Sequence, residues 1–372
     1  MMLTQLEVVP YLLQYKLVSV DTFVDGDLVV EDASRRNRNF KVISELAPSY
    51  FLKQGIGQDG VVTVASEAAV YELFWSERAN DELRRYLPHF YKYDPGERML
   101  VLEFLRDAQD LEEYYAHRKR FSAVLASAMG NALGTLHSLK WTEEKTNKGV
   151  QRLTHRPPWI LSLHHPIPGI FGHISSANVH IIKIIQQFPE FCNLLDGLFQ
   201  EWRIETLIHF DLKWNNWLIV GDSAGRKMAR LKIVDWELAG RGDPCWDLGS
   251  VFSDYLSLWL LSIPATGDIP PDKFPELARY PLNRMQPAMR SFWEAYVRRM
   301  NLDGSRSHEW LLRSVKYAAA RLVQTAFERM QMAMQPTGNI ICFLQLSLNI
   351  LQRPEEAIVH LLGIPLQGMR LL

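Results

Sequence analysis

The residues most able to do chemistry lie in one short stretch, IHFDLKWNNW, at positions 208–217. Asp211 precedes Asn216 by five positions, and His209 completes the pattern H-x-D-x-x-x-x-N. An aspartate at this position can take a proton from an attacking hydroxyl, and the asparagine can hold a magnesium ion on nucleotide phosphates. Apolar runs on both sides predict short strands around a loop, which is the context that such a pattern needs.

A second acidic position follows at a suitable distance. The run LKIV at positions 231–234 predicts a strand that ends at Asp235, about twenty residues after Asn216. Each pattern alone is common, and its plain interpretation is a loop asparagine with a helix-capping aspartate. Together and in this order they predict a phosphoryl-transfer site in which Asn216 and Asp235 hold magnesium. Lys213, two residues after the predicted base, could reach the transferred phosphoryl group.

These patterns resemble the aminoglycoside phosphotransferase and choline kinase-like family, through H-x-D-x-x-x-x-N, I-V-D-W-E and G-D-P-x-x-D-L. The resemblance implies an α+β, bilobal protein kinase-like fold. Its small β-rich N-lobe would cover residues 1–105, and its larger, mainly α-helical C-lobe residues 106–372. The resemblance also implies that His209 supports the loop and that Asp247 anchors it from the following helix. Family members usually carry glycine where this chain has Phe210.

The N-terminal region shows the element order of a kinase small lobe. Residues 17–53 are interpreted as strands, with a polar loop at 34–39 and a third strand that ends at Lys53. The loop would cover the nucleotide phosphates, and Lys53 would contact the α and β phosphates. An exposed hairpin tip is the alternative for this loop, which lacks glycine. The predicted phosphate-binding residues of the loop are Ser34, Arg35, Arg36 and Asn37.

Lys53 needs an acidic partner on the next helix, which the apolar spacing predicts at 65–86. Glu67 and Glu72 are the possibilities; Glu67 is favoured because its surroundings resemble the start of the family's helix, although either could be a solvated glutamate. A buried strand then runs from Met99 to Leu105. In a kinase fold it would be the hinge, where backbone groups of Glu103 and Leu105 bind the adenine edge.

An irregular segment at about 141–176 is rich in proline and aromatic residues. Long irregular segments in compact enzymes are usually functional or linkers, so we expect it to form a wall of the acceptor site through Trp141 and Trp159. The pair His164–His165 has no carboxylate or cysteine at ligand spacing, which argues against a metal there. From Pro244 onward the pattern predicts helices at 245–262, 285–301, 306–334, 339–352 and 354–362.

Composition narrows the remaining function classes. The chain has 372 residues, 47% of them apolar, and a net charge of −1. Near-neutral charge gives no electrostatic case for binding nucleic acid or an anionic membrane surface. Three cysteines without a C-x-x-C pattern favour reduced thiols in a cytoplasmic protein. The chain shows no signal-peptide pattern, and its longest apolar run is too short to span a bilayer.

The sequence therefore predicts an enzyme that moves the γ-phosphoryl group of ATP to a hydroxyl, with GTP left open as the donor. The acceptor is either a small molecule or a Ser/Thr side chain of a peptide. The D-L-K-x-x-N loop and the aromatic segment favour a peptide. The chain resembles, in this respect, family members that act together with a lyase, which eliminates the phosphate from peptide Ser/Thr residues in natural-product biosynthesis. The alternative from another class is a pseudokinase that binds nucleotide and serves as a scaffold.

Overall fold

The structure, a computed structural model, describes residues 2–76, 81–139, 155–167, 169, 172–221, 230–264 and 276–366. Ten strands occur in these ranges: β1 Val29–Asp32, β2 Arg38–Ile43, β3 Tyr50–Gln54, β4 Phe90–Asp94, β5 Met99–Glu103, β6 Ala108–Asp110, β7 Thr206–Ile208, β8 Trp217–Val220, β9 Arg230–Ile233 and β10 Gly240–Gly242. Strands and helices are both well represented, so the predicted α+β class is confirmed.

Thirteen α-helices accompany these strands in the described ranges: α1 Gln5–Gln14, α2 Val20–Val24, α3 Gly57–Ser76, α4 Asp81–Arg84, α5 Leu111–Arg118, α6 Ala123–His137, α7 Ser176–Gln186, α8 Pro189–Gln200, α9 Pro244–Leu261, α10 Leu282–Met300, α11 Gly304–Arg329, α12 Gly338–Gln352 and α13 Pro354–His360. Among the described residues, no helix is both long enough and apolar enough to cross a bilayer.

The described residues form two compact units. The first contains residues up to 117 together with 215–240, and the second contains 118–139, 155–214 and 241–366. The strand pair after the predicted catalytic loop therefore clusters with the N-terminal residues. The lobe boundary at residue 105 stays a prediction.

The first unit contains two antiparallel sheets. The larger has the order β1-β2-β3-β5-β4, and the smaller has the order β6-β8-β9. Alternating residues of β2, such as Phe40 and Val42, are fully buried in a cluster with Val8 and Leu12 of α1. This apolar face stabilises the strand β3, which lies at the centre of the larger sheet and carries Lys53.

The second unit is mainly helical, as predicted for the residues after Pro244. Helices α6 and α10 approach each other closely because glycine replaces bulky side chains at the crossing. A Cβ on Gly130 would collide with the carbonyl oxygen of Phe292, and one on Gly134 would meet Arg299. β7 and β10 form a two-stranded ladder beside these helices.

Two secondary-structure predictions were wrong. Residues 17–53 are not all strand, because Ser19 caps α2 by accepting a hydrogen bond from the Thr22 amide at 3.1 Å. The helix predicted at 65–86 begins earlier, at Gly57, and is described as far as Ser76, because residues 77–80 lie outside the described residues. Gly57 has a φ of +63°, and glycines have low helix propensity, so the spacing of apolar residues did not reveal these first turns.

Candidate active site

A cavity of about 680 Å³ lies in the first unit. Polar residues from the β1–β2 turn, β3, α3 and the segment after β9 line one part of it, and Phe51, Leu102 and Leu105 supply apolar surface. The sequence-predicted nucleotide and metal residues all line this cavity: Ser34, Arg35, Arg36, Asn37, Lys53, Glu67, Glu103, Leu105, Asn216 and Asp235. Its mixed lining suits a ligand with a flat ring and an anionic tail.

Lys53 is the centre of the polar part of this cavity. Its backbone lies between Asn39 of β2 and Leu100 of β5 in the sheet register. Its Nζ donates to Glu67 Oε2 at 2.8 Å and to Asp235 Oδ1 at 2.8 Å. A third bond joins Nζ to Glu237 Oε2 at 3.1 Å. The structure thus places Glu67, and not Glu72, on Lys53.

The charges around Lys53 do not balance. Burial favours the neutral amine, but Glu67, Asp235 and Glu237 outweigh it, so the pKa of Lys53 lies above its ordinary value. Three carboxyl groups surround one ammonium, so acidic groups are in surplus here, although burial raises the pKa of Glu67 against the opposing charge of Lys53. Arg36 lies 3.6 Å from Glu237 with a side chain that is 60% exposed, so solvent screens its contribution. This surplus of acidic groups is a condition that a divalent cation would relieve.

The residues around Asp235 are fixed by backbone and aromatic contacts. The amide of Val234 donates to the carbonyl oxygen of Asn216 at 3.0 Å, which ties the two predicted metal ligands together. Asp235 itself has a φ of +67°, a left-handed conformation that costs about 1–3 kcal/mol for a residue other than glycine. The next residue, Trp236, is fully buried and packs edge-on against Phe74 at 5.3 Å. Such strain is typical of functional positions.

Oxygen donors suited to magnesium lie together at this end of the cavity. Single carboxylate oxygens of Glu67, Asp235 and Glu237 lie within 4.8 Å of one another, and Asn216 lines the same cavity. Magnesium prefers one or two protein carboxylates and completes its shell with water and phosphate oxygens. Asp235, Glu237 and Asn216 therefore fit such an ion, since the Glu67 side chain is only 3% exposed, whereas those of Asp235 and Glu237 are 41% and 17% exposed.

The residues predicted to form the phosphate loop and the hinge are hydrogen-bonded within the protein. In the loop, Arg35 N–H donates to the Asn37 carbonyl at 3.1 Å, and Asn37 is nearly fully buried. At the hinge, the Glu103 amide donates to the His89 carbonyl at 2.8 Å. The carboxylate of Glu103 accepts from the His89 amide at 2.9 Å. The Glu103 N–H is thus already used within the protein, which leaves other backbone groups of this segment for a base.

The part of the predicted catalytic loop that carries Asp211 lies in the second unit, where Asp211 has two cationic neighbours. Lys213 Nζ lies 3.0 Å from Asp211 Oδ1, and Arg321 Nη1 lies 3.6 Å from the same oxygen. Lys213 also pairs with Glu328 at 3.1 Å. Burial favours the neutral carboxyl, but Arg321 and Lys213 outweigh it and hold the pKa of Asp211 below its usual value. Asp211 is therefore an ionised, proton-accepting group at neutral pH.

The loop backbone is anchored by a buried carboxylate. Asp247, fully buried in α9, accepts from the amide of His209 at 2.7 Å and from the amide of Phe210 at 3.1 Å. His137 lies 3.3 Å from the same carboxylate and 2.9 Å from the hydroxyl of Tyr296. These contacts fit a role for Asp247 in anchoring the loop and a structural role for His137.

Sequence reasoning missed Glu237, Arg321 and Glu328. Glu237 could have been found from the sequence, because it lies two positions after Asp235 in the D-W-E run of the family pattern. Arg321 and Glu328 lie on α11, more than one hundred positions from Asp211, and no local spacing connects them. Only the fold brings these side chains to the catalytic loop.

The aromatic segment is described in part. Trp159 is 46% exposed and packs edge-on against Phe327 of α11, with ring centroids 5.2 Å apart. Trp141 lies outside the described residues. Phe327 neighbours Glu328, which pairs with Lys213, so Trp159 and the predicted catalytic loop both contact α11.

Comparison with known proteins identifies the family. The family model described as "Phosphotransferase enzyme family" matches residues 30–267. No curated protein matches the chain. Among solved structures, choline kinase from Cryptosporidium parvum Iowa II has a TM-score of 0.58 at 11% identity, covering 95% of this chain and 96% of its own.

A GDP complex of an aminoglycoside 2'-phosphotransferase-IIIa mutant has a TM-score of 0.52 at 13% identity, covering 96% of this chain and 99% of its own. At these identities the two structures are evidence for the fold alone, and they confirm the predicted kinase-like fold. The family model covers more than half of the sequence. The chain therefore belongs to the phosphotransferase enzyme family.

Proposed function

We propose that this protein transfers the γ-phosphoryl group of ATP to a hydroxyl group, with magnesium bound beside the nucleotide. The observation that carries the proposal is the contact of buried Lys53 with Glu67, Asp235 and Glu237 inside the cavity. An ammonium with surplus carboxylates provides both a contact for phosphate oxygens and a place for the cation that accompanies them.

The first unit would bind the nucleotide. Lys53, held by Glu67, would contact the α and β phosphates, and Ser34, Arg35, Arg36 and Asn37 would cover them. Asn216 and Asp235, joined by Glu237, would hold magnesium, which supplies positive charge to the phosphate oxygens. The base would lie against the hinge near Glu103 and Leu105. Adenine is the proposed base. Comparing the binding of ATP with that of GTP would distinguish adenine from guanine.

The catalytic loop would act on the acceptor. Asp211 would orient the hydroxyl and take its proton, because its carboxylate is ionised and lies beside two cations. Lys213 would stabilise the charge of the transferred group, and His209 would support the loop through its bond to Asp247. Arg321 would position Asp211 without touching substrate.

The acceptor is a hydroxyl-bearing small molecule or a peptide Ser/Thr residue. Around Asp211, two carboxylates face two cations, so this cluster has no surplus negative charge for a polycationic aminoglycoside. The exposed ring of Trp159 offers apolar contact for an uncharged or extended acceptor. A peptide acceptor would call for the partner lyase. The three free cysteines agree with a reducing, cytoplasmic location.

The test is phosphoryl transfer to panels of acceptors. The protein would be incubated with magnesium and ATP or GTP, and with amino alcohols, aminoglycosides or Ser/Thr peptides, and the products followed by ³¹P NMR. We expect a phosphate monoester that forms about 10²-fold more slowly, or slower still, with Asp211→Asn. Nucleotide binding with no transfer across all panels would support the pseudokinase alternative.

A further inference from the structure

Two adjacent histidines and a distant aspartate meet in the second unit. His164 and His165 follow the 3₁₀ turn Trp159–Ser162, and Asp196 lies on α8. His164 Nε2 lies 3.0 Å from Asp196 Oδ1, and His165 Nε2 lies 3.2 Å from the same oxygen. The sequence argument against a metal here was that no carboxylate had suitable spacing. The fold supplies that carboxylate from 31 positions away.

The spacing of these donors suits a tetrahedral ion. Zinc binds histidine nitrogen and carboxylate oxygen at about 2.0–2.2 Å, so neighbouring donors in a tetrahedron lie about 3.3–3.6 Å apart. The two nitrogen–oxygen distances, 3.0 and 3.2 Å, need to open by only a few tenths of an ångström. All three donor atoms lie within 4.8 Å of one another. Little rearrangement is therefore needed to admit the ion.

The two imidazoles are held close together in this part of the second unit. The side chain of His164 is 1% exposed. The ring centroids of His164 and His165 lie 4.0 Å apart. Gln186 donates to the His164 carbonyl at 2.9 Å and fixes the backbone of this turn.

We propose that His164, His165 and Asp196 form a binding site for a divalent transition metal, with zinc as the best match and water completing the shell. Two imidazoles and one carboxylate form a common ligand set for such ions. The bound ion would link the segment after the turn to α8. Because Trp159 belongs to the same turn and packs on Phe327, the ion would stabilise one aromatic contact of α11. This role is structural and independent of the proposed phosphoryl transfer.

The proposal is tested on the full chain after dialysis against a chelator. Zinc chloride would be titrated by calorimetry, without nucleotide, into the wild type and into His165→Ala and Asp196→Asn. These two side chains are partly exposed, so both variants should fold. We expect one zinc ion to bind per chain, with an affinity that is at least 100-fold lower in each variant. His173→Ala, at an exposed histidine in the same segment, is the matched control and should stay within about twofold.

Cobalt gives a second readout, because its absorption spectrum reports the ligand set. We expect the relatively intense visible d–d bands of a four-coordinate nitrogen–oxygen site and no sulfur charge-transfer band. A strong sulfur band would show a cysteine ligand and overturn the assigned set; Cys192 lies one helical turn before Asp196. Zinc binding that Asp196→Asn leaves unchanged would overturn the site itself.

Discussion

The carboxylate of Asp247 accepts the backbone amide of His209 at 2.7 Å, although the two residues lie 38 positions apart. A second bond, to the Phe210 amide, uses the other carboxylate oxygen. One buried charge thus fixes two consecutive peptide groups just before Asp211. Hydrogen bonds to a charged, buried acceptor are stronger than neutral ones, so this pair stabilises the loop from behind.

Replacing Asp247 with asparagine should destabilise the protein by about 1–3 kcal/mol, because one carboxylate oxygen becomes an amide donor that faces a backbone N–H. Urea unfolding would measure the change. Asp303→Asn is the matched control, since Asp303 caps α11 by accepting from Arg306 N–H and asparagine caps about equally well. Equal effects in the two variants would contradict the anchoring role.

Phe210 lies in the left-handed region with a φ of +74°, where family members usually have glycine. Its ring packs near Trp202 and Trp246 at 5.8 and 6.4 Å. Phe210→Gly and Phe210→Ala both lose this packing, but only alanine keeps the backbone strain. We therefore expect alanine to be less stable than glycine by about 1 kcal/mol, measured by thermal unfolding. Alanine equal to or more stable than glycine would contradict a strained backbone here.

Much of the candidate site was predictable because its patterns are local in sequence. Asp211 and Asn216 belong to one loop, and Lys53 and Asp235 each follow an apolar strand pattern. The predicted nucleotide residues line one cavity because the fold brings these local patterns together. Phe210 is instructive: the sequence showed only a departure from the family's usual glycine. Its φ of +74° and the bond from Trp246 Nε1 to its carbonyl at 2.7 Å required the fold.

Contacts across long sequence separations were not predictable. Arg321 and Glu328 look like ordinary charged residues of a helix whose apolar stripe predicts only core packing. Asp196 was likewise one of two acidic residues on an amphipathic helix, yet it lies beside His164 and His165. Helix starts were also missed where glycine or a serine cap, and not apolar spacing, sets the boundary, as at Gly57 and Ser19.

Glu237→Gln should change how nucleotide binding depends on magnesium. The variant removes one of three carboxylates around Lys53, so ATP without magnesium meets less repulsion and should bind a few-fold more tightly. ATP with magnesium should bind more weakly, because a predicted ion ligand is lost. Calorimetry at fixed ionic strength gives the ratio of the two Kd values. Glu72→Gln, on the same helix as Glu67, is the control; a ratio unchanged in Glu237→Gln would remove Glu237 from the metal site.

Arg321→Met should move the acid limb of the pH–rate profile. In the folded protein the pKa of Asp211 is below its ordinary value, because Arg321 and Lys213 outweigh burial. The carboxylate thus stabilises the fold above its unfolded pKa of about 3.9, and this stability is lost as pH falls through the lowered folded pKa.

Without Arg321, burial is opposed mainly by Lys213, so the pKa of Asp211 should rise. The loss of kcat/KM on acidification should then begin at higher pH than in the wild type. Lys316→Met, on the same helix but paired with Glu201, should leave the profile in place. An identical acid limb in Arg321→Met and wild type would show that Arg321 does not set the ionisation of Asp211.

The most direct test of the proposed nucleotide site is calorimetric titration of ATP with and without magnesium into wild type, Asp235→Ala and Asp211→Asn. We predict binding that magnesium strengthens in the wild type. Asp235→Ala should weaken the magnesium–ATP complex by at least about tenfold, or 1.4 kcal/mol, and abolish most of the magnesium dependence. Asp211→Asn should bind like wild type while turnover falls by about 10²-fold or more. Unchanged magnesium–ATP affinity in Asp235→Ala would contradict the assignment of this cavity.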